Sequence, residues 1–252
     1  MTAPTLLCLD CGNTRLKWGV YSCEPPSHHW LAQGALALDE LAHLPEVLAA
    51  LPKPQHIVGC IVANDTARQH IETCTTHLGA PLHWNISRAK QCGVHNNYDD
   101  PGQLGADRWA ALIGARHLQG NAPCLVVMAG TATTIDHLAA NGHFMGGLIL
   151  PGIEMMRTAL AHHTARLPLV EGDFQRLPRN TKSAIASGCL QATAGAIERM
   201  YAPLSDQTTA QCLLSGGAAE PIAPLLDIPL RHIENLVLEG LAQIALTEAA
   251  AT

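Results

Sequence analysis

The feature that most constrains the fold of this chain is a short pattern that occurs twice. In Leu6–Thr14 an apolar stretch leads into a glycine and small polar residues, and Cys124–Ala132 repeats this order. When the two segments are overlaid, Asp10 falls opposite Met128. Two halves that each open with a strand, a glycine turn and a second strand predict a duplicated α/β unit. A cleft between two such units is a natural nucleotide site.

The apolar and polar patterning predicts alternating strands and helices in both halves. In the first half we predict strands at Thr5–Leu9, Arg15–Tyr21, His56–Val62 and Leu82–Ile86, and helices at Leu36–Leu51, from Asn64 or Asp65 to Leu78, and from Gly105 to Leu118. In the second half we predict strands at Cys124–Met128, Thr133–Leu138, Phe144–Leu150 and Cys212–Leu214, and helices after Pro151-Gly152, at Thr181–Met200 and from Asn235 onward. The loop-like Gln119–Pro123 separates the halves, so the predicted domains are residues 1–118 and 119–252.

Composition excludes several classes of protein. With 48% hydrophobic and 14% charged residues the chain can bury a core, and its net charge of -6 disfavours a nucleic-acid binder. No stretch approaches the roughly 18 apolar residues of a membrane span, so we expect no membrane partner. The opening residues lack the charged and apolar regions of a signal peptide, and nine scattered cysteines suit reduced thiols, so we expect a cytoplasmic protein.

Common nucleotide motifs are missing. No two of the 21 glycines are two residues apart, and none is followed by lysine. The dinucleotide fingerprint, the protein-kinase glycine loop and the Walker A loop are therefore absent. A nucleotide bound to this chain would need a different phosphate cradle.

Two glycine turns are candidates for such a cradle. A carboxylate at a strand end, followed by glycine and small polar residues, suits Asp10–Thr14 to hold Mg²⁺ and a polyphosphate. Gly130–Thr134, with Asp136 beyond it, would form a second phosphate-facing turn. Each segment also has a purely structural interpretation, as a hairpin turn with local hydrogen bonds or as a threonine-rich strand.

Helix starts provide the other candidates. Asp107 could be a general base and Arg108 a fork-shaped clamp for a carboxylate, although an acid in the first turn of a helix is also favoured by the helix dipole. Asn180–Ser183 opens a long helix whose free N–H groups suit an anion, and capping explains these residues equally well.

Taken together and in order, these motifs resemble those of the type III pantothenate kinases. The matching segments are Asp10-Cys11-Gly12-Asn13-Thr14, Tyr98, Gly105-Ala106-Asp107-Arg108-Trp109, Gly130-Thr131-Ala132-Thr133-Thr134-Ile135-Asp136, Gly146-Gly147-Leu148-Ile149-Leu150-Pro151-Gly152 and Ser215-Gly216-Gly217. The resemblance implies two ribonuclease H-like domains of the acetate/sugar kinase, actin and heat-shock chaperone superfamily, with mixed sheets flanked by helices. It also implies ATP-dependent phosphorylation of pantothenate to 4'-phosphopantothenate, the first step of coenzyme A biosynthesis, by a homodimer with pantothenate at or near the subunit interface.

Position by position, the resemblance implies particular contacts. The implied ATP contacts are Asp10, Cys11, Gly12, Asn13, Thr14, Arg15, Leu16, Lys17 and Thr131. The implied pantothenate contacts are Tyr98, Gly105, Ala106, Asp107, Arg108 and Thr181, with Asp107 as proton acceptor. We expect Asp10 to fix Mg²⁺ on the ATP phosphates, directly or through water.

Met128 departs from the family pattern. The resemblance implies a monovalent cation, K⁺ or NH₄⁺, bound by an acid at this position, and a thioether is a poor ligand for such ions. We therefore predict no cation ligand at Met128. Two alternatives stay open: another small-molecule kinase or phosphatase on the same duplicated fold, and a non-catalytic nucleotide-binding regulator, which the loss of this acid favours.

Overall fold

The computed structural model describes residues 4–24, 29–164, 167, 169 and 171–249. The chain forms two compact units, Met1–Gly120 with Leu236–Thr252, and Asn121–Asn235. Each unit contains a sheet with both parallel and antiparallel strands, flanked by helices. The predicted α/β class is therefore confirmed. In the described part of the chain no helix has the length and apolar character needed to span a membrane.

The first unit is built on a five-stranded sheet of order β3-β2-β1-β4-β5. Its strands are β1 Thr5–Cys11, β2 Arg15–Ser22, β3 His29–Ala37, β4 His56–Ile61 and β5 Leu82–Trp84, with a short hairpin of β6 Lys90–Gln91 and β7 Val94–Asn96 further along. Its helices are α1 Leu44–Ala49, α2 Asp65–Thr75, α3 Ala106–Gln119 and α7 Leu236–Ala249. The apolar β1 lies at the centre, antiparallel to β2 and parallel to β4, and only one of its residues is not fully buried.

The second unit has the strand order β12-β11-β8-β9-β10. Its strands are β8 Cys124–Ala129, β9 Ala132–Leu138, β10 His143–Pro151, β11 Gln211–Ser215 and β12 Leu230–His232, and its helices are α4 Ile153–His163, α5 Thr181–Tyr201 and α6 Ala219–Ile222. Central β8 is antiparallel to β9 and parallel to β11. This is the arrangement that β1 has in the first unit, so the predicted duplication is confirmed.

The predicted helix at Leu36–Leu51 is wrong in its first part. β3 continues to Ala37 and pairs with β2, with Leu36 opposite Leu16. Two short helical segments follow, a 3₁₀ segment at Leu38–His43 and then α1. The ladder to β2 is a long-range interaction, so it overrides a local pattern that suits a helix.

The last helix, α7, belongs to a different unit from the one that the predicted domain division gives it. The sequence assigns residues 119–252 to one domain, whereas α7 packs against α3 and β1 of the first unit. Glycines make this contact close: a Cβ added at Gly240 would overlap the Ala110 carbonyl oxygen, and one added at Gly114 would lie 2.5 Å from the Leu236 carbonyl oxygen. Residues 1–3 and 250–252 of the predicted domains lie outside the described residues.

Candidate active site

Asp10 lies at the carboxyl end of β1, where the sequence analysis expects the metal and phosphates. Its register partners are Lys17 on the antiparallel β2 and Cys60 on the parallel β4. Residues in register on neighbouring strands point to the same face of a sheet. The Cys60 thiol donates a hydrogen bond to Asp10 Oδ1 at 3.4 Å. The carboxylate is therefore held at the carboxyl end of the central strand of the sheet.

The electrostatics of Asp10 show which groups surround it. Burial raises the pKa of Asp10 to about 6, and the negative charge of Asp107 acts in the same direction. Lys17 and the Cys60 hydrogen bond partly oppose this rise in the pKa of Asp10. Like charges perturb one another's titration only at short range, so the structure brings Asp10 and Asp107 together within the first unit. A carboxyl group with a raised pKa beside a second carboxylate is typical of catalytic sites.

Asp107 is presented by the first turn of α3. Gly105 occupies the N-cap position, and Asp107 Oδ1 accepts a hydrogen bond from the Arg108 backbone N–H at 2.8 Å. A Cβ added at Gly105 would lie 2.6 Å from Asp107 Oδ1, so another residue at this position would displace the Asp107 carboxylate. Asp107 therefore does interact with the start of its helix, as the structural interpretation expects. Its negative charge also raises the pKa of Asp10, so the two carboxylates are near neighbours.

Arg108 and Tyr98 form a second cluster in the first unit. Arg108 is 5% exposed, its Nη1 donates to the Tyr98 hydroxyl at 2.9 Å, and its guanidinium lies 5.6 Å from the Tyr98 ring centroid. Asn96 fixes the segment before Tyr98, because its Oδ1 accepts from the Tyr98 N–H at 3.1 Å and its Nδ2 donates to the Pro101 carbonyl at 3.1 Å. The predicted substrate residues Tyr98 and Arg108 are thus joined directly.

The β1–β2 turn divides the predicted ATP residues into two groups. Gly12 N–H donates to the Arg15 carbonyl at 3.0 Å and closes the turn. Asn13 and Thr14 are exposed, as is Arg15. Cys11 and Leu16 are both fully buried, and their side chains pack in the core of the first unit. Neither residue has accessible surface that a nucleotide could contact in this structure.

Thr131 lies in the corresponding turn of the second unit. Gly130 N–H donates to the Ala132 carbonyl at 3.1 Å, and Gly152 N–H donates to the Thr131 carbonyl at 2.9 Å. A Cβ added at Gly152 would lie 2.5 Å from the Thr131 carbonyl oxygen, so glycine is needed where α4 begins. Thr131 itself is exposed.

Thr181 is the first residue of α5 and is exposed. Asn180 caps this helix, because its Oδ1 accepts from the Ser183 N–H at 2.9 Å. The capping interpretation of this segment is therefore confirmed. Thr131 and Thr181 belong to the second unit, whereas the carboxylates and the Tyr98–Arg108 pair belong to the first.

Sequence reasoning missed two residues at the carboxyl ends of β4 and β5 in the first sheet. Cys60 was read only as part of an apolar strand, and it contacts Asp10. Asn85 follows β5, donates its backbone N–H to the Gly59 carbonyl at 2.6 Å and is 7% exposed. In the described structure its buried Nδ2 has no hydrogen-bond partner. A cysteine within an apolar run carries no local signal of a polar contact, since the contact depends on which strand lies beside it.

The residues present fit a magnesium ion bound together with phosphates. Asp10 supplies a carboxylate, and Mg²⁺ in phosphate-transfer sites typically uses one or two protein carboxylates while phosphates and water complete its shell. The side chain is partly buried, so one face of it reaches the site.

Solved structures identify the class of fold. One, from Campylobacter jejuni and described as a member of the Baf family of transcriptional activators, matches with a TM-score of 0.62 and 21% identity, covering 97% of this chain and 99% of that chain. Another, from Sinorhizobium meliloti and described as a 2-dehydro-3-deoxygalactonokinase, matches with a TM-score of 0.57 and 16% identity, covering 96% and 99%. At these identities the likeness concerns the fold alone. The chain has the fold of the acetate/sugar kinase and actin superfamily, as the sequence predicts.

Sequence relatives identify the family. The family model for type III pantothenate kinase matches residues 6–203. A type III pantothenate kinase from Aromatoleum aromaticum is 51% identical over 246 residues, which cover 98% of this chain and 100% of that protein. The chain therefore belongs to the type III pantothenate kinase family.

Proposed function

We propose that this chain transfers the γ-phosphoryl group of ATP to the primary hydroxyl of pantothenate, and that Asp107 accepts the hydroxyl proton. The products are ADP and 4'-phosphopantothenate, in the first step of coenzyme A biosynthesis. The proposal rests on membership of the type III pantothenate kinase family, with Asp10 held at the end of β1 and Asp107 presented by the first turn of α3 as its acidic centre. Membership of a kinase family supplies the reaction, and the acidic centre supplies a base beside the phosphate site.

Asp10 is the proposed metal ligand. Mg²⁺, when bound, would neutralise charge on the β- and γ-phosphates, which lowers the barrier to attack by an oxygen nucleophile. The contribution of the chain is to hold one carboxylate at the end of a buried strand, with Lys17 opposite it on β2. This fixed geometry favours positioning, which is most of the work in phosphoryl transfer.

The glycine turns are the proposed ATP contacts. The Gly12 N–H closes the turn, and the exposed Asn13 and Thr14 would offer backbone N–H groups and polar side chains to phosphates. In the second unit the exposed Thr131 would make the further contact. We assign no direct nucleotide contact to Cys11 or Leu16, because both residues are fully buried and their side chains are in the core.

The Tyr98–Arg108 pair is the proposed pantothenate side of the site. A guanidinium binds a carboxylate with two parallel hydrogen bonds, and pantothenate has a carboxylate. Arg108 is mostly buried and fixed by Tyr98, so little side-chain entropy would be lost on binding. Gly105, Ala106 and Thr181 complete the proposed substrate contacts.

Three further assignments belong to this proposal. We assign a homodimer, on the family resemblance. We assign the cytoplasm, because all nine cysteines are free thiols and most are buried. We assign no monovalent-cation ligand to Met128, because oxygen and not thioether sulfur suits K⁺ and NH₄⁺.

The decisive test is Asp107→Asn, measured by ADP release with and without pantothenate. Loss of a general base typically costs about 10² to 10⁴ in rate, so we expect kcat to fall by that order. ATP affinity should stay near the wild-type value, because Asp107 is assigned to the hydroxyl of the acceptor. Turnover close to that of the wild type would remove Asp107 from the reaction.

A further inference from the structure

We propose that Cys60 is a positioning residue: its thiol donates a hydrogen bond that holds the Asp10 carboxylate in the orientation in which it binds the metal. The consequence for metal binding rests on the function proposed above. The hydrogen bond itself does not.

The strand register makes this contact specific. Asp10 and Cys60 are direct partners on the parallel strands β1 and β4, so their side chains project from the same face of the sheet. Sγ lies 3.4 Å from Asp10 Oδ1, within the range of a thiol donor. Both strands belong to the first unit. The thiol reaches one carboxylate oxygen, and a hydrogen bond to that oxygen restricts rotation of the carboxyl group.

Cys60 is shielded from solvent. Its side chain is 0% exposed, so water does not compete for the S–H group. The S–H group is therefore available to the Asp10 carboxylate, which lies in register with it and accepts its hydrogen bond.

The second unit shows that a strand in this place need not supply such a donor. Ser215 on β11 is the register partner of Met128, as Cys60 is of Asp10. Ser215 Oγ donates to the Glu234 carbonyl at 3.3 Å, away from the residue paired with it. Of these two register pairs in the described structure, the pair that contains the Asp10 carboxylate is joined by a side-chain hydrogen bond, and the pair that contains Met128 is not.

Residues that orient a metal ligand typically contribute about 10- to 100-fold to metal affinity or activity. Because a thiol is a weak donor, we expect the lower end, so Cys60→Ala should raise the KM for magnesium-ATP about 10-fold. The kcat at saturating magnesium should change much less. Cys60→Ser keeps a donor of similar size and should restore KM close to the wild-type value.

Cys212→Ala is the matched control. Cys212 is also a fully buried thiol, and it lies on β11, the strand that takes the place of β4 in the second unit. The Cys212→Ala variant removes the same atom from an equally buried site, where the described part of the chain places no carboxylate against the sulfur, so the KM for magnesium-ATP should not change. An equal rise in KM for this variant and Cys60→Ala would mean that loss of packing, and not of a hydrogen bond, is responsible. That result would overturn the proposal, as would an unchanged KM in Cys60→Ala.

Two measurements do not depend on turnover. Binding of Mn²⁺ in the presence of ADP, followed by electron paramagnetic resonance, should weaken in Cys60→Ala and recover in Cys60→Ser. In the protein without nucleotide, the infrared S–H stretching band of Cys60, identified by its loss in Cys60→Ala, should move to higher frequency in Asp10→Ala. An unmoved band would show that the thiol does not donate to Asp10. A shifted band in a protein that does not phosphorylate pantothenate would refute the proposed function and leave the hydrogen bond established.

Discussion

The turn after β1 and the turn after β8 each connect a central strand to an antiparallel neighbour, but different side chains surround the ends of the two strands. At the end of β1 the carboxylate of Asp10 contacts a thiol and lies close to a second carboxylate. At the end of β8 the corresponding residue is Met128, paired with Thr134 on β9. Both turns close through a glycine N–H, from Gly12 at 3.0 Å and from Gly130 at 3.1 Å.

This comparison separates two contributions of the duplicated fold. The strand–turn–strand geometry places backbone N–H groups at a sheet edge in both units, without requiring a particular side chain. The two carboxylates proposed for metal binding and proton transfer, Asp10 and Asp107, both belong to the first unit. We infer that the first turn contributes reacting side chains as well as backbone geometry, whereas the second turn contributes backbone geometry alone.

The largest expected effect comes from substituting the two matched positions, Asp10 and Met128, one at a time. Asp10→Asn should lower kcat/KM by about 100-fold or more, since even residues that only orient a metal ligand cost 10- to 100-fold. Met128→Leu conserves volume and removes no charge, so it should leave kcat/KM nearly unchanged. The measurement is steady-state kinetics at saturating magnesium. Comparable losses in the two variants would break the comparison.

The second test uses the pH dependence of stability. An acid whose pKa is raised on folding costs stability once it ionises, so the wild-type free energy of unfolding should fall as pH rises from 3.8 to about 6. The pKa shift corresponds to at most about 3 kcal/mol. Asp10→Asn removes this penalty, so urea denaturation should show the variant to be more stable than the wild type above pH 6 and similar near pH 3.8. If the free energy of unfolding had the same pH dependence in both proteins, the pKa of Asp10 would not be raised by folding.

A third test compares the glycines that support the two turns. Gly216 has φ +104, and a Cβ there would overlap the Ala129 carbonyl at the end of β8, so Gly216→Ala should cost about 1–3 kcal/mol of stability. A Cβ at Gly12 would lie 3.6 Å from the Arg15 carbonyl oxygen, an ordinary contact, so Gly12→Ala should change stability by less than about 0.5 kcal/mol. Thermal denaturation measures both. A rise in the KM for ATP in Gly12→Ala without loss of stability would sharpen the distinction.

The smallest expected effect concerns the monovalent cation. With a thioether at position 128, activity in K⁺, NH₄⁺ and Na⁺ at constant magnesium should differ by no more than a few-fold. Met128→Asp should increase the dependence on K⁺. Strong activation of the wild type by K⁺ would instead mean that other oxygen atoms of the chain bind the ion.

Local patterns were sufficient for most of the fold. Both glycine turns, the helix beginning at Gly105 and the cap at Asn64 are short-range features, and the structure contains each of them. The strand β3 and the return of α7 to the first unit were not predicted. Both depend on pairing or packing between distant segments, which a local pattern does not encode.

The candidate site divides in the same way. Asp10, Asp107 and Arg108 were found because each lies beside a recognisable turn or helix start. Cys60 was not, because its role depends on the register between β1 and β4. Leu16 was included with the ATP loop by position alone, and its side chain proves to be in the core.

The packing of α7 on α3 and β1 has a consequence for how the polypeptide is made. A ribosome completes the second unit while the helix that closes the first is still inside the exit tunnel or not yet synthesised. The N-terminal sheet therefore keeps part of its apolar surface uncovered until α7 has left the ribosome. In a nascent chain, the first unit is the first to emerge, yet it completes its core only after the second unit has been synthesised.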